Sequence, residues 1–135
     1  MAIQLSTAIR NAMGNTIEST IGTAAILKIA TGAAPANCAA AATGTILATI
    51  TLPADWYNAF GSGTSTKIGT WEDTSADNTG TAAHFRLYAS DGTTCGLQGT
   101  VTATGGGGDL TLDNTSIAAT QDVIITAFSL TMPGA

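Results

Sequence analysis

The chain has 135 residues, which is enough for one domain with its own core and too few for two separate cores. Only 10 % of the residues are charged, and the formal net charge is −5. A nucleic-acid binder needs a basic face, so this charge balance excludes that class. Small residues dominate, with 25 Ala, 25 Thr and 16 Gly. No window approaches the ~18 uninterrupted apolar residues of a membrane-spanning helix, so we expect no membrane partner.

The N-terminal residues do not resemble a secretory leader. The first basic residue is Arg10, and no apolar run follows it, whereas a signal peptide places basic residues before its apolar segment. The sequence therefore predicts synthesis in the cytoplasm.

The two cysteines, Cys38 and Cys95, are far apart in the sequence and form no CxxC motif. A zinc site would need two further ligands, and His84 is the only histidine, so we expect no metal and no other cofactor. A disulfide is geometrically possible, but a reducing compartment disfavours it, and we expect two unpaired thiols that serve in packing.

The first segment predicts the chain's one helix, because apolar residues recur there at spacings of three and four. Ser6 or Thr7 can cap its start, and Gly22 is suited to end it. The apolar positions are Leu5, Ile9, Ala12, Met13, Ile17 and Ile21. An amphipathic helix at 1–22 must dock on something, and two hypotheses remain open: it covers an open end of its own sheet, or it packs against a partner subunit.

From Thr23 onward the apolar period changes to two, which is typical of strands. The alternating runs are 25–30, 46–52, 83–89, 97–101, 110–112 and 123–130, with a further short strand that includes Ile68 and Trp71. No second helix of crossover length separates them, so a parallel α/β sheet is disfavoured. The sequence predicts a mainly β fold, an antiparallel β-sandwich at 23–135 with one N-terminal α-helix, within a single domain overall.

Two long irregular stretches interrupt the strands, at 31–43 and 53–66. The second contains Trp56, Tyr57 and Phe60 within five residues, which argues against simple disorder. Ser90–Thr93 reads as a hairpin turn.

The motifs that suggest catalysis or ligand binding are weak. The stretch from Gly61 to Lys67 lacks the Gly-Lys-Ser/Thr order of a phosphate loop. The acids at 72, 73 and 77 lack the spacing of a calcium loop, and an acidic turn explains them as well. His84 alternates with Phe85 and shares a face with Arg86 and Tyr88, which predicts a half-exposed sheet face rather than a catalytic base. We therefore expect no enzymatic activity.

The opening Met-Ala-Ile-Gln-Leu-Ser-Thr-Ala-Ile-Arg-Asn-Ala-Met resembles small virion proteins of tailed bacteriophages. The same resemblance extends to Thr31–Cys38, to Leu52–Trp56 and to the stretch from Gly69-Thr70-Trp71 to Phe85-Arg86. The group includes capsid cement or decoration proteins of the type found on a Bordetella phage head. The resemblance implies a jelly-roll-like β-sandwich on the exterior of a phage head, made in the bacterial cytoplasm, that clamps neighbouring subunits of the major capsid protein, as a homo-oligomer (dimer or trimer).

Two other functions remain as alternatives. The chain could be a phage tail or head–tail joining protein. It could also be a carbohydrate-binding β-sandwich module, since Trp56, Tyr57 and Trp71 are residue types that stack on sugar rings.

The capsid or oligomer interface is expected at two places. The first is the helix, through Leu5, Ile9, Met13 and Ile17. The second is the aromatic loop, through Trp56, Tyr57 and Phe60, because large apolar groups outside the strand alternation are candidate interface hot spots. The alternative for Trp56 and Phe60 is that they cap one end of the sandwich.

Overall fold

A computed structural model describes residues 3–135 of the chain. These residues form one helix and eleven strands, so the fold is mainly β with an N-terminal helix, as the sequence predicts. Residues 1 and 2 of the predicted helical segment lie outside the described part. The elements are α1 (Thr7–Ile21), β1 (Ile26–Ala30), β2 (Ile46–Thr51), β3 (Thr64–Thr66), β4 (Trp71–Asp73), β5 (Gly80–Thr81), β6 (His84–Tyr88), β7 (Cys95–Ala103), β8 (Leu110–Leu112), β9 (Ser116–Ile117), β10 (Val123–Ile125) and β11 (Ser129–Thr131).

Helix α1 has the caps that the sequence predicts. The Ser6 hydroxyl accepts a hydrogen bond from the Ile9 amide at 3.3 Å, which satisfies one of the free donors of the first turn. At the other end Gly22 has φ 95° and donates its amide to the Glu18 carbonyl at 2.8 Å. A positive φ favours glycine, so the helix ends at Gly22, the first glycine after the interior Gly14.

Five strands form the main sheet, in the order β2-β1-β6-β7-β8. The first three pairings are antiparallel, and alternate side chains of each strand point to opposite faces. Leu27 pairs with both Ile50 and Leu87, so one face of the sheet is apolar across at least three strands. This face carries one side of the core.

Three two-stranded sheets complete the fold: β10-β4, β11-β3 and β5-β9. The predicted strand over 123–130 is two short strands, because its halves pair with different partners. Phe128, in the break between them, is buried and lies 5.4 Å from Phe85 of the main sheet, ring centre to ring centre. The apolar face of the main sheet therefore packs on a second layer, an arrangement consistent with a β-sandwich.

The pairing of β7 with β8 is parallel, although only six residues connect them. The connection runs back beside β7: the Gly108 amide donates to the Thr102 hydroxyl at 3.0 Å, and the Asp109 amide donates to the Thr100 hydroxyl at 3.2 Å. A Cβ on Gly106 or Gly108 would come within 2.8 Å of Thr102. The four-glycine segment is thus a close-packed return that lets the chain start a parallel strand without a helical crossover.

The predicted hairpin turn joins β6 to β7. Asp91 accepts hydrogen bonds from the amides of Thr93 and Thr94, both at 2.9 Å, and from the Thr94 hydroxyl. These hydrogen bonds lower the pKa of Asp91 to about 2, and the bond from the Thr94 hydroxyl has the largest effect. Gly92 has φ 72°, as the turn requires.

We expect Gly14→Ala to destabilise the protein, although alanine is the better helix former by about 1 kcal/mol. Gly14 is buried on α1, and a Cβ there would overlap the Phe60 ring. Overpacking of this kind costs about 1–3 kcal/mol, so we predict a net loss of unfolding free energy, measured by urea denaturation.

The matched control is Gly61→Ala. A Cβ on Gly61 meets no heavy atom within 4 Å, so this variant should keep the parental stability. If Gly14→Ala were as stable as the control, the close contact of α1 with Phe60 would be refuted.

Candidate functional site

The face of α1 that docks on the sheets is not the predicted apolar stripe. Arg10 and Gly14 are the buried residues of the helix, and Ile17, Glu18 and Ile21 are half-buried beside them. The docked face is rotated by about a quarter turn from the stripe Ile9–Met13–Ile17. The two hypotheses for the helix, that it covers its own sheet or packs against a partner subunit, both assumed contact through an apolar face. Much of the contact between the helix and its own domain is instead polar.

Four polar side chains of α1 bind backbone groups of the rest of the chain. Glu18 illustrates the arrangement, since one carboxylate oxygen accepts from two successive amides of the segment that follows β2. The contacts are Arg10 Nε and Nη2 to the Met132 carbonyl (3.1 and 2.8 Å), the Gly63 amide to Asn11 (2.8 Å), the Phe60 amide to Asn15 (2.8 Å), and the Trp56 and Tyr57 amides to Glu18 (2.7 and 3.3 Å). The helix thereby satisfies four backbone donors and one backbone acceptor of irregular segments.

The four anchors predicted on the helix divide into two pairs, and one of them, Leu5, lies before the start of α1. Ile17 packs against the core and is partly buried, and Leu5 is half-buried and adjoins Gly134, whose carbonyl accepts from the Leu5 amide at 2.7 Å. Ile9 and Met13, in contrast, are 51 % and 38 % exposed. They lie one turn apart on the same side of α1 and form what we call the exposed helix stripe.

The three predicted anchors of the aromatic loop are core residues. Trp56, Tyr57 and Phe60 are 0 %, 3 % and 8 % exposed, so the expectation that this loop presents aromatic side chains to a partner is wrong for the folded chain. The Trp56 indole N–H donates to the Gly22 carbonyl at 3.0 Å, which ties the ring to the end of α1. Their place under the helix is closer to the alternative, in which aromatic residues close one end of the sandwich.

The aromatic loop and the second layer share one ring cluster. The Tyr57 ring centre lies 5.4 Å from Trp56, 6.1 Å from Phe60, 6.2 Å from Trp71 and 6.0 Å from Phe128. Burial raises the pKa of the Tyr57 hydroxyl, which has no hydrogen-bond partner among the described residues. Tyr57 therefore contributes through the packing of its ring, and the burial of its unpartnered hydroxyl lowers the stability of the cluster.

Exposed large apolar side chains are concentrated at the N-terminal end of the chain. Ile3 is 83 % exposed and lies four residues before α1, and the exposed helix stripe follows it. Ile124 on β10, 49 % exposed, is the fourth such residue in the described part. Sequence reasoning missed Ile3, although an isoleucine outside every periodic run was the available signal.

The outer face of the main sheet is covered, and not half-exposed as the alternation at His84 predicted. His84, Arg86 and Tyr88 are all buried. The segment 31–45, which we call the covering loop, lies over them. One ring nitrogen of His84, Nδ1, is 2.7 Å from the Gly32 carbonyl, so the imidazole is engaged in holding this loop.

Arg86 and Gln98 hold the middle of the covering loop. They face each other across β6 and β7. Arg86 Nη2 donates to the carbonyls of Asn37 (3.3 Å), Cys38 (2.8 Å) and Ala40 (3.0 Å), and Gln98 Nε2 donates to that of Pro35 (2.6 Å). Arg86, which the alternation placed on a half-exposed face, thus holds an irregular segment against the sheet.

The acidic turn after Trp71 contains one interacting carboxyl pair. The carboxyl of Asp122, beside β10, raises the pKa of Glu72 on β4, first through a side-chain hydrogen bond and then through its charge. In the described part of the chain, no three His, Cys, Asp or Glu side chains are placed to hold a metal ion. The pair is therefore an electrostatic feature of the surface and gives no indication of a cation site.

No family model, curated protein or solved structure matches the chain. Within residues 3–135, no helix is both long and apolar enough to cross a membrane.

We expect Trp56→Ala to lower the free energy of unfolding by about 3–5 kcal/mol, the cost of emptying a large aromatic site in a core. The reason is the complete burial of Trp56 and its bond to Gly22. Urea denaturation measures the loss. Ile9→Ala is the comparison, since the side chain of Ile9 is half in solvent and its removal should change stability by no more than ~0.5 kcal/mol. Equal stabilities of the two variants would mean that Trp56 is not a core residue.

Glu72→Gln should raise the melting temperature at pH 7. The pKa of Glu72 is higher in the folded than in the unfolded protein, so protonation of its carboxyl stabilises the fold. This stabilisation is complete below the unfolded pKa of about 4.3 and is lost as the pH rises through the folded pKa. At pH 7 the carboxylate of Glu72 is repelled by the charge that raises its pKa, and the amide removes that repulsion, so the gain should shrink toward pH 4. Calorimetry across this range measures it, with Asp55→Asn as a control for the change in net charge. A gain that is the same at both pH values, or that equals the control's, would contradict the carboxyl pairing.

Proposed function

We propose that this chain is a structural virion protein, a decoration or cement protein that binds the exterior of a phage head and stabilises contacts between subunits of the major capsid protein. In this proposal it acts as a small homo-oligomer, a dimer or trimer, and has no catalytic role. The observation that carries the proposal is the exposed helix stripe of Ile9 and Met13, on a helix that is anchored to its own domain through polar residues. The resemblance to small phage virion proteins supports the choice of partner.

The geometry of α1 supports attachment through this surface. The buried side of the helix is fixed by Arg10, Gly14 and Glu18, so docking on a partner need not disturb the fold. Apolar side chains that a domain leaves exposed together on one element are typical of interaction sites. Methionine adapts its shape to the surface it meets, which suits a contact repeated in slightly different positions on a shell.

The sparse charge supports an interface that is mainly apolar and hydrogen-bonded. The chain has four Lys and Arg residues, and Arg10 and Arg86 are both buried and bound to carbonyls. Exposed ion pairs contribute only ~0–1 kcal/mol each, so two remaining lysines could add little to binding. Many modest contacts suffice when a shell offers many copies of the same site.

The burial of the aromatic side chains argues against the carbohydrate-binding alternative. Stacking on a sugar needs exposed aromatic faces, whereas Trp56, Tyr57 and Trp71 are at most 3 % exposed. The tail or head–tail joining alternative differs from the proposal in copy number, and the number of copies per particle separates the two. Hundreds of copies are expected for decoration and multiples of six or twelve for a tail or neck component.

The test of the proposal is a double variant, Ile9→Glu with Met13→Gln, assayed for binding to undecorated heads. Ile9 is the third helical residue after the Ser6 cap, and a glutamate there completes a capping box, so the helix should be at least as stable as before. The variant places a charge and an amide where the proposal has an apolar contact. We expect head occupancy to fall at least tenfold, with the melting temperature unchanged.

The control is Ile124→Gln, which removes a similarly exposed isoleucine from β10. It should bind heads like the parent. Full binding by the double variant would place the interface elsewhere on the chain, and absence of the parent protein from purified particles would reject every virion function.

A further inference from the structure

The two cysteines meet at the edge of the covering loop. Cys38 lies in that loop and Cys95 begins β7, and their Sγ atoms are 2.8 Å apart although neither is part of a disulfide. We propose that Cys38 and Cys95 are a site of reversible oxidation, at which an intramolecular disulfide locks the covering loop onto the main sheet. This inference stands independently of the proposed function.

The placement of Cys38 is fixed by groups other than the thiols. Arg86, on the strand next to β7, donates to the carbonyls of Asn37, Cys38 and Ala40, so the backbone on both sides of the cysteine is held. Cys95 is held by the sheet, where it pairs with Tyr88. Bond formation needs the sulfur atoms to approach by less than about 1 Å, to the usual ~2.05 Å, which side-chain rotation can supply.

Both thiols can be reached by a small reagent. Each cysteine is half-buried, in contrast to the fully buried Arg86 beside them. Burial and the neighbouring Cys38 raise the pKa of the Cys95 thiol to about 11. Because the thiolate is the reactive form, the pair should oxidise slowly near neutral pH and faster as pH rises.

The reaction is a thiol–disulfide exchange with a small-molecule disulfide such as oxidised glutathione. One protein thiolate attacks a sulfur of the reagent, the reagent's S–S bond breaks, and one glutathione leaves as thiolate and takes up the proton that the protein thiol lost. The second protein thiolate then attacks the sulfur of the mixed disulfide at the protein side. The Sγ–Sγ bond forms and the second glutathione leaves, so that two electrons pass from the two cysteines to the reagent.

The disulfide would close a loop that contains β2 to β6. Fifty-seven positions separate the two cysteines (95 minus 38), and a cross-link over a loop this long restricts the unfolded chain strongly. Reducing compartments keep such a pair as thiols and oxidising ones convert it. The covering loop would thus be held by hydrogen bonds alone in the first case and by a covalent bond in the second.

The experiment treats the purified chain, under native conditions at about pH 8.5, with oxidised glutathione in one sample and with reduced glutathione in the other. We expect both free thiols to disappear together, the mass to fall by two hydrogens, and unreduced digestion to yield one peptide pair containing Cys38 and Cys95. Dithiothreitol should reverse all three changes. The oxidised protein should melt about 10 °C above the reduced protein.

Cys38→Ser and Cys95→Ser provide the controls. Each should take up one glutathione at most and show no rise in melting temperature on oxidation. The proposal is overturned if the parent keeps both thiols, forms only glutathione adducts or intermolecular dimers, or forms the internal disulfide without a gain in melting temperature.

Discussion

The fold depends on side-chain hydrogen bonds to backbone groups that are not paired within any sheet. Two long irregular segments, the covering loop and the stretch from Pro53 to Gly63, lie against the sheets, and buried amides and carbonyls without partners cost about 1–3 kcal/mol each. Side chains provide the partners in both cases. The side chains of Arg86, Gln98 and His84 bind carbonyls of the covering loop. Side chains of α1 accept hydrogen bonds from amides of the segment from Pro53 to Gly63.

The orientation of α1 follows from this requirement. Glu18 reaches the amides of 56 and 57 because its side of the helix faces inward, and Gly14 on the same side admits the Phe60 ring. Asn15 binds the amide of 60 from the exposed edge of this contact. Ile17 and Ile21 remain within the contact. Ile9 and Met13 are turned toward solvent as a result. The exposed helix stripe is therefore a consequence of polar docking, and a partner that covers it would bury the apolar area that the domain itself leaves out.

Local patterns predicted the local structure well. Alternation located β1, β2 and β6 within a residue or two, and Ser6 and Gly22 marked the ends of α1, because caps and strand faces depend on neighbours in sequence. The prediction that the aromatic loop faces a partner was wrong, because long-range contacts decide the exposure of its side chains. Whether Trp56 faces a partner or the core depends on what lies above it, and that is a helix some forty residues earlier. The exposure of His84 and Arg86 was misjudged for the same reason, since alternation assigns residues to a face but cannot show that a loop covers it.

The covering loop also explains why a buried cation is tolerated on the outer face of the sheet. Removing a guanidinium from water is costly unless its donors are bound. Three carbonyls accept from Nη2 of Arg86, whereas its buried Nε has no hydrogen-bond partner among the described residues. Carbonyls converge on one nitrogen only when the segment carrying them turns tightly, and here the Ala40 amide closes the turn by donating to the Asn37 carbonyl and side chain. The same turn brings Cys38 to Cys95. The shape of the loop, the buried charge and the contact between the thiols thus depend on one another, because the Arg86 contacts fix residues 37–40, the part of the loop that carries Cys38.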